Sequence, residues 1–228
     1  EVLEIGPGLG TVTECLVQSA KHVVAVEKDR RLHAYLADRF ASERRLELIH
    51  ADALTLGMER LLATGRFHRL NKVVSNLPYS SGSRILIELA TATSAPERMV
   101  VTVQQEVAER MAAPAGDTNY GKLSVWLQLD YSVRRVKTVS PTCFWPGPDV
   151  TSEIVSLIRR TGSRLSEEAR ALFYRMTREA FMHRRKQMSS LFAHAPAPLK
   201  VKPAEMSGML RELGLSDKAR PEELTVEH

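Results

Sequence analysis

Asn76-Leu77-Pro78-Tyr79 follows the apolar run Val73-Val74-Ser75, where a buried strand gives way to a loop. These residue types suit one reaction, methyl transfer to an exocyclic amine on a base. The lone pair of such an amine is delocalised into the ring, so the nitrogen is a poor nucleophile. Two acceptors, the Asn76 side-chain oxygen and the backbone carbonyl of Leu77 or Pro78, can hold its two hydrogens and favour a pyramidal nitrogen. Pro78 removes a competing donor and stiffens the turn, and Tyr79 offers a ring on which a base can stack. The same four residues also read as a proline turn with a buried tyrosine.

Three further motifs carry chemistry. Glu4-Ile5-Gly6-Pro7-Gly8-Leu9-Gly10 links a strand to a helix, and glycines there let the backbone pass close to a ligand. The third glycine of a dinucleotide fingerprint would fall at Thr11, and no Gly-Lys-Ser/Thr follows, so neither NAD nor a nucleotide-phosphate loop is expected. A tight glycine loop at Gly6, Gly8 and Gly10 suits S-adenosyl-L-methionine, whose amino-acid end takes a few backbone contacts. Glu27 ends the run Val23-Val24-Ala25-Val26, where an acid can accept both ribose hydroxyls. A helix cap is its alternative role, but Asp29 fills that better. In His50-Ala51-Asp52-Ala53, Asp52 can accept from the cofactor's adenine amine or serve simply as a turn residue.

These motifs must be positioned, and the pattern around them is β-α alternation. Strands are expected at Val2–Ile5, Val23–Val26, Leu46–Ile49, Lys72–Ser75 and Met99–Val103. Helices are expected at Thr11–Ala20, Arg30–Phe40, Ser83–Ala92 and Glu106–Ala113. Leu123–Val133 and Glu153–Ile158 then read as a closing, hairpin-like pair of strands. Such alternation implies a mostly parallel sheet covered on both faces, with an antiparallel strand added by the pair. The glycine loop, Glu27, Asp52 and Asn76 fall at the C-terminal tips of successive strands, where open α/β sheets bind ligands. Composition shifts at Thr161-Gly162-Ser163, and a helical pattern follows, opening with Leu165–Met182, so the domain boundary is placed between residues 160 and 161.

The 228 residues suffice for one sizeable domain and a small one. Net charge is +5, with a pI near 9.4, which suits a polyanionic partner. No apolar run reaches the ~18 residues of a membrane helix. Cys15 and Cys143 form no ligand pattern and read as buried thiols in a reducing cytosol. No metal cluster is expected among the seven histidines. Glu1–Ile5 already reads as a strand, so a preceding segment is expected.

The stretches VLEIGPGLGTVT, VVAVEKDRRL, HADAL, SNLPYS, QQEVAERMAA, YGKLSVWLQ, CFWPGPDVTSEIV, AFMHRRKQMSSLF and LGL…RPEELTVE run in order through nearly the whole chain. In these the sequence resembles the small-subunit ribosomal RNA adenine dimethyltransferase family (KsgA type). The resemblance implies an α/β, Rossmann-like, seven-stranded class I methyltransferase sheet with a small all-helical C-terminal domain. It implies S-adenosyl-L-methionine as donor and two adjacent adenines in a 3′-terminal hairpin of the small-subunit RNA as acceptors, each dimethylated at N6. It places Gly6, Gly8, Gly10, Glu27, Asp52, Ala53 and Asn76 on the cofactor. Asn76, Leu77, Pro78 and Tyr79 would hold the target adenine, with Phe144 stacking on the opposite face. Without the family, Phe144 and Trp145 would read as an aromatic corner packed in a proline-rich loop.

Two departures stand out. The family's loop runs Pro-Lys-Val-Asp-Ser, and here it is Pro148-Asp149-Val150-Thr151-Ser152, with an acid in the lysine's place. The family's Gln-x-Phe-Leu segment, which closes over the cofactor, is not in this sequence. For RNA, the best patch is His183-Arg184-Arg185-Lys186, with Arg178 before it and Lys122 elsewhere in the chain. The alternative for the patch is a solvated basic helix end. The expected partner is small-subunit RNA within a pre-assembled subunit, bound by a cytoplasmic monomer. Leu77 and the RPEELTVE ending speak against the rival enzyme that methylates large-subunit RNA in macrolide resistance. An assembly or transcription factor without catalysis, or a DNA amine methyltransferase, are the remaining alternatives.

Overall fold

The computed structural model describes residues 1–63, 70–145, 147–162 and 165–228. Pro146 of the aromatic loop and Ser163 of the expected boundary lie outside the described residues. The chain divides into two compact units, Glu1–Ala108 with Tyr131–Arg160, and Glu109–Asp130 with Thr161–His228.

The first unit holds the sheet. Its strands are β1 (Val2–Ile5), β2 (Val23–Glu27), β3 (Leu46–His50), β4 (Lys72–Asn76), β5 (Arg98–Gln104), β6 (Tyr131–Val139) and β7 (Ser152–Arg159). Among the described residues they pair in the order β3-β2-β1-β4-β5-β7-β6. Neighbours from β3 to β5 run parallel, and β7 inserts antiparallel to both β5 and β6. Every residue of β1 and β2 is buried, as parallel strands covered on both faces require. The chain winds outward from β1 to one side and from β4 to the other. The β1/β4 junction is therefore the switch point, where a crevice opens beyond the strand tips.

Helices α1 (Thr11–Ser19), α2 (Arg30–Arg39), α3 (Ala53–Leu56), α4 (Met58–Leu62) and α5 (Gly82–Thr91) fill the connections up to β5. α6 (Gln105–Ala112) follows β5. Asp29 caps α2 as expected, its carboxylate accepting from Arg31 N at 2.7 Å and Leu32 N at 3.0 Å. β1 is tied to α1 by a buried contact, Thr13 Oγ1 donating to Glu4 Oε2 at 2.7 Å.

The expected strand Leu123–Val133 is corrected. Lys122–Asp130 is a helix, α7, and the strand begins only at Tyr131. The reason is burial on all sides: Ser124, Val125, Trp126, Leu127, Leu129 and Asp130 are all buried. A helix wrapped all round shows no apolar stripe, so its sequence lacks the 3.6-residue period. α7 also changes the division of the chain, because residues 109–130 group with the helical unit rather than with the sheet. The chain passes between the units three times, the third time between Arg160 and Thr161. The cysteines are corrected too: both are free and exposed, Cys15 on α1 and Cys143 in the turn Pro141–Cys143.

The second unit consists of α7 with α8 (Glu167–Met182), α9 (Met188–Ala193) and α10 (Pro203–Glu212). Ser166 caps α8 by accepting from Ala169 N, and Glu167 and Glu168 complement the helix dipole in its first turn. Its core gathers Ala180, Met188, Leu191, Phe192, Leu199, Met206 and Leu210. Trp126 Nε1 donates to Thr177 Oγ1 at 2.8 Å, and Arg170 forms a two-pronged ion pair with Asp130. No helix among the described residues is long and apolar enough to cross a membrane.

Candidate active site

The tips of β1 and β4 bring Gly6 beside Asn76, seventy residues apart in the chain. A Cβ on Gly6 would lie 3.8 Å from Pro78 Cδ and 3.9 Å from the Asn76 carbonyl oxygen, ordinary contact distances. What demands glycine there is its φ of 71°, in the left-handed region. The two loops are joined through β4 as well, because the buried Ser75 hydroxyl donates to the Ile5 carbonyl.

A cavity of about 920 Å³ opens at these tips. Gly6, Gly8, Glu27, Asp52, Ala53, Asn76, Leu77, Pro78, Tyr79 and Phe144 line it. Gly10 does not. Its φ is 82°, and a Cβ there would meet Leu36 Cδ2 and Phe40 Cε2 at 2.8 Å. The expected cofactor contact at Gly10 is therefore corrected: this glycine lets Leu36 of α2 and Phe40, the residue after it, close over the start of α1.

The two acids are oriented by backbone amides. Glu27 Oε2 accepts from Gly8 N at 3.2 Å and Oε1 from Asp29 N at 2.8 Å. A carboxylate offers about four acceptor sites, so capacity remains for ligand hydroxyls. Asp52 caps α3, its Oδ1 accepting from Leu54 N at 3.0 Å. Its Oδ2 lies 2.8 Å from Lys28 Nζ. The hydrogen bond from Lys28 holds the Asp52 carboxyl below its usual value, and the same contact pushes the Lys28 ammonium up. Lys28 also lines the cavity and went unnoticed in the sequence, although its place directly after Glu27 was available as a signal. Below the loop, burial raises Glu4 to about 7 despite the opposing Thr13 hydrogen bond, with Glu27 adding a smaller repulsion.

The tetrapeptide's hydrogen bonds decide between its two carbonyls. The Pro78 carbonyl accepts from Gly82 N at 2.7 Å and Ser81 N at 3.2 Å, which commits it to starting α5. The Leu77 carbonyl receives no backbone hydrogen bond among the described residues. Leu77 N donates to Thr102 O at 3.1 Å, and its side chain is fully buried, so this carbonyl belongs to a residue held on both its backbone and its side chain. The Tyr79 hydroxyl is hydrogen-bonded to the Oγ of Ser152, a buried residue of β7. This bond anchors the ring to the sheet and engages the phenol. Sequence reasoning missed Ser152 because it lies 73 residues away on an antiparallel strand.

Of the expected RNA contacts, three have partners inside the helical unit. Arg184 Nε donates to Glu222 Oε2 at 2.6 Å, and Nη2 to the Asp117 carbonyl at 3.2 Å. Lys122 Nζ and the Arg178 guanidinium lie 5.3 and 5.7 Å from the centre of the Trp126 ring. Arg185 and Lys186 are exposed in the turn after α8.

A family model for ribosomal RNA adenine dimethylases matches residues 1–210. The chain belongs to this family. It is 35% identical over 228 residues to the ribosomal RNA small subunit methyltransferase A of Geobacillus sp. (strain WCH70), spanning 99% of this chain and 78% of that protein. With the protein of the same name from Acidobacterium capsulatum the identity is 37%, over 99% and 77%. The crystal structure of a dimethyladenosine transferase from Plasmodium falciparum superposes with a TM-score of 0.78 at 26% identity, covering 99% of this chain and 86% of that one. The 23S rRNA methyltransferase ErmE shares the fold, with a TM-score of 0.71 at 24% identity over 97% and 86%. As a ribosomal RNA adenine dimethylase the chain is a methyltransferase, with S-adenosyl-L-methionine as its donor. The cavity suits that donor: positive-φ glycines allow close backbone approach, and two carboxylates stand ready for hydroxyl and amine donors.

Proposed function

We propose that this chain dimethylates N6 of two adjacent adenines in the 3′-terminal hairpin of small-subunit ribosomal RNA. The observation that carries the reading is the Asn76–Leu77 acceptor pair at the switch point, with the Pro78 carbonyl removed from competition by α5. Asn76 Oδ1 and the Leu77 carbonyl accept the two amine hydrogens and bring the nitrogen lone pair out of conjugation. Tyr79, held by Ser152, and Phe144 supply the ring faces that grip an extruded base. Glu27 and Asp52 hold the ribose and adenine of S-adenosyl-L-methionine, with the glycine loop beneath its amino-acid end. When bound, that donor supplies an electrophilic methyl group on a sulfonium. Catalysis by these residues is positioning plus fixed acceptors. The phenol of Tyr79 is engaged with Ser152, so the surplus proton leaves to water.

The helical unit would carry RNA phosphates on Arg185 and Lys186, consistent with the net charge of +5. We place the reaction in the cytoplasm, on a partly assembled small subunit, with one copy of the chain acting alone. The test is methyl transfer from labelled S-adenosyl-L-methionine to undermodified small subunits, read by nucleoside digest. Dimethyladenosine is expected with the wild-type chain. Asn76→Ala should lose about 10²- to 10³-fold in rate, as removal of one fixed charge-stabilising group does elsewhere, while keeping RNA binding. Tight subunit binding with no transfer from the wild-type chain would overturn the catalytic reading.

A further inference from the structure

We propose that Trp145 is a second stacking platform, which receives the nucleotide next to the base that enters the cavity. This rests on the reading above that the substrate base is extruded from RNA. Trp145 lines the cavity together with Tyr79 and Phe144, yet its side chain is 90% exposed. The chain's other tryptophan, Trp126, is 7% exposed and hydrogen-bonded. Tryptophans are well buried on average, so an indole open on nearly all sides at a cavity mouth is a surface awaiting a ligand.

The turn that leads into Trp145 is ordered. Ser140 caps the turn Pro141–Cys143 by accepting from Thr142 N at 3.3 Å, and its hydroxyl also meets Thr142 Oγ1 at 2.8 Å. Cys143 N donates to the Ser140 carbonyl at 3.0 Å and Phe144 N to the Pro141 carbonyl at 3.2 Å. On the far side, Gly147 approaches so closely that a Cβ there would sit 3.3 Å from the Pro141 carbonyl. A ring presented from a fixed turn loses little freedom on binding. Phe144 and Trp145 are consecutive, so two aromatic rings leave the same turn and line the same cavity, the first half-buried and the second exposed. Removing a base from its stack strips its neighbour of one stacking face. An exposed indole replaces that face for any base, most effectively for a purine. The ligand class is therefore an unpaired purine nucleotide of RNA flanking the target.

Trp145 reports on itself, because the chain has two tryptophans and Trp126 is shielded. Emission of the wild-type chain minus that of Trp145→Phe would be followed during titration with an RNA hairpin whose loop carries two adjacent adenines. A matching hairpin would be abasic beside the target. Saturable quenching by the first and none by the second is expected. Trp145→Ala should raise KM for small subunits about tenfold, with S-adenosyl-L-methionine affinity unchanged by calorimetry and Trp145→Phe intermediate. Unperturbed emission while the wild-type chain binds and methylates RNA would overturn the stacking role alone, as would an unchanged KM in Trp145→Ala. Quenching without methyl transfer would overturn the catalytic reading and leave the stacking role standing. Neither quenching nor transfer would overturn both.

Discussion

The charged groups at the strand tips and those of the helical unit were singled out in the sequence for the same kind of reason, and the structure uses them differently. Glu27 and Asp52 are fastened by backbone amides and still line the cavity. Arg184 and Lys122 instead take up partners that build the helical unit itself, Glu222 and Asp117 for one and Trp126 for the other. A carboxylate with several acceptor sites can be held by an amide and keep capacity for a ligand. A guanidinium whose fork is shared between a carboxylate and a carbonyl has less left for phosphate. A basic cluster in sequence is therefore a weaker indicator of a binding surface than an acid at a strand tip.

The sharpest way to break this comparison is Glu4, an acid of the sheet unit that is not part of the cavity wall. Its pKa is raised from 4.5 to about 7, mainly by burial. The folded chain thus holds this proton more tightly than the unfolded chain does. The resulting stabilisation is full below pH 4.5 and is lost as pH rises through about 7. Glu4→Gln keeps a partner for Thr13 and cannot ionise. Relative to that variant, the wild-type chain should lose of order 3 kcal/mol between pH 4.5 and 8, read by denaturant unfolding. Parallel pH curves would show that Glu4 is not a buried titrating acid.

Next in size is the pair Arg185→Glu with Lys186→Glu. Both side chains are exposed, so the melting temperature should hold while RNA affinity falls at least about tenfold and its salt dependence becomes shallower. Arg184→Ala sharpens the contrast from the other side. Loss of its partly buried bond to Glu222 and its exposed bond to Asp117 should cost about 1–3 kcal/mol of stability, with only a minor effect on RNA binding once folding is corrected for. If Arg184→Ala were as stable as wild type but failed to bind RNA, the division between structural and free cations would collapse. The smallest effect is expected from Lys28→Met. Lys28 is 75% exposed, and ion pairs of that kind are weak. Affinity for S-adenosyl-L-methionine should change less than about threefold by calorimetry, even though the lysine stands beside the acid assigned to the adenine.

The alternation of short apolar runs with helical patterns was legible because strand burial is written residue by residue: β1 and β2 are apolar but for Glu4 and Glu27, and buried throughout. Strand tips follow from strand ends, so the order Gly6, Glu27, Asp52, Asn76 was readable before any coordinates. α7 was not, because a helix buried on every side loses the period that announces it. Gly10 was misassigned because a glycine's motif does not say whether it makes room for a ligand or for Leu36 and Phe40.

The sequence alone determined which candidate residues sit at which strand tip, since this depends on local pattern and chain order. Only the tertiary structure decided which groups remain available. It consigned the Pro78 carbonyl to α5, tied Tyr79 to Ser152 and Arg184 to Glu222, and left the Trp145 ring open. Three of those outcomes are hydrogen bonds, and availability depends on the partner. For Tyr79 and Arg184 that partner lies 73 and 38 residues away, at separations no periodicity or motif records.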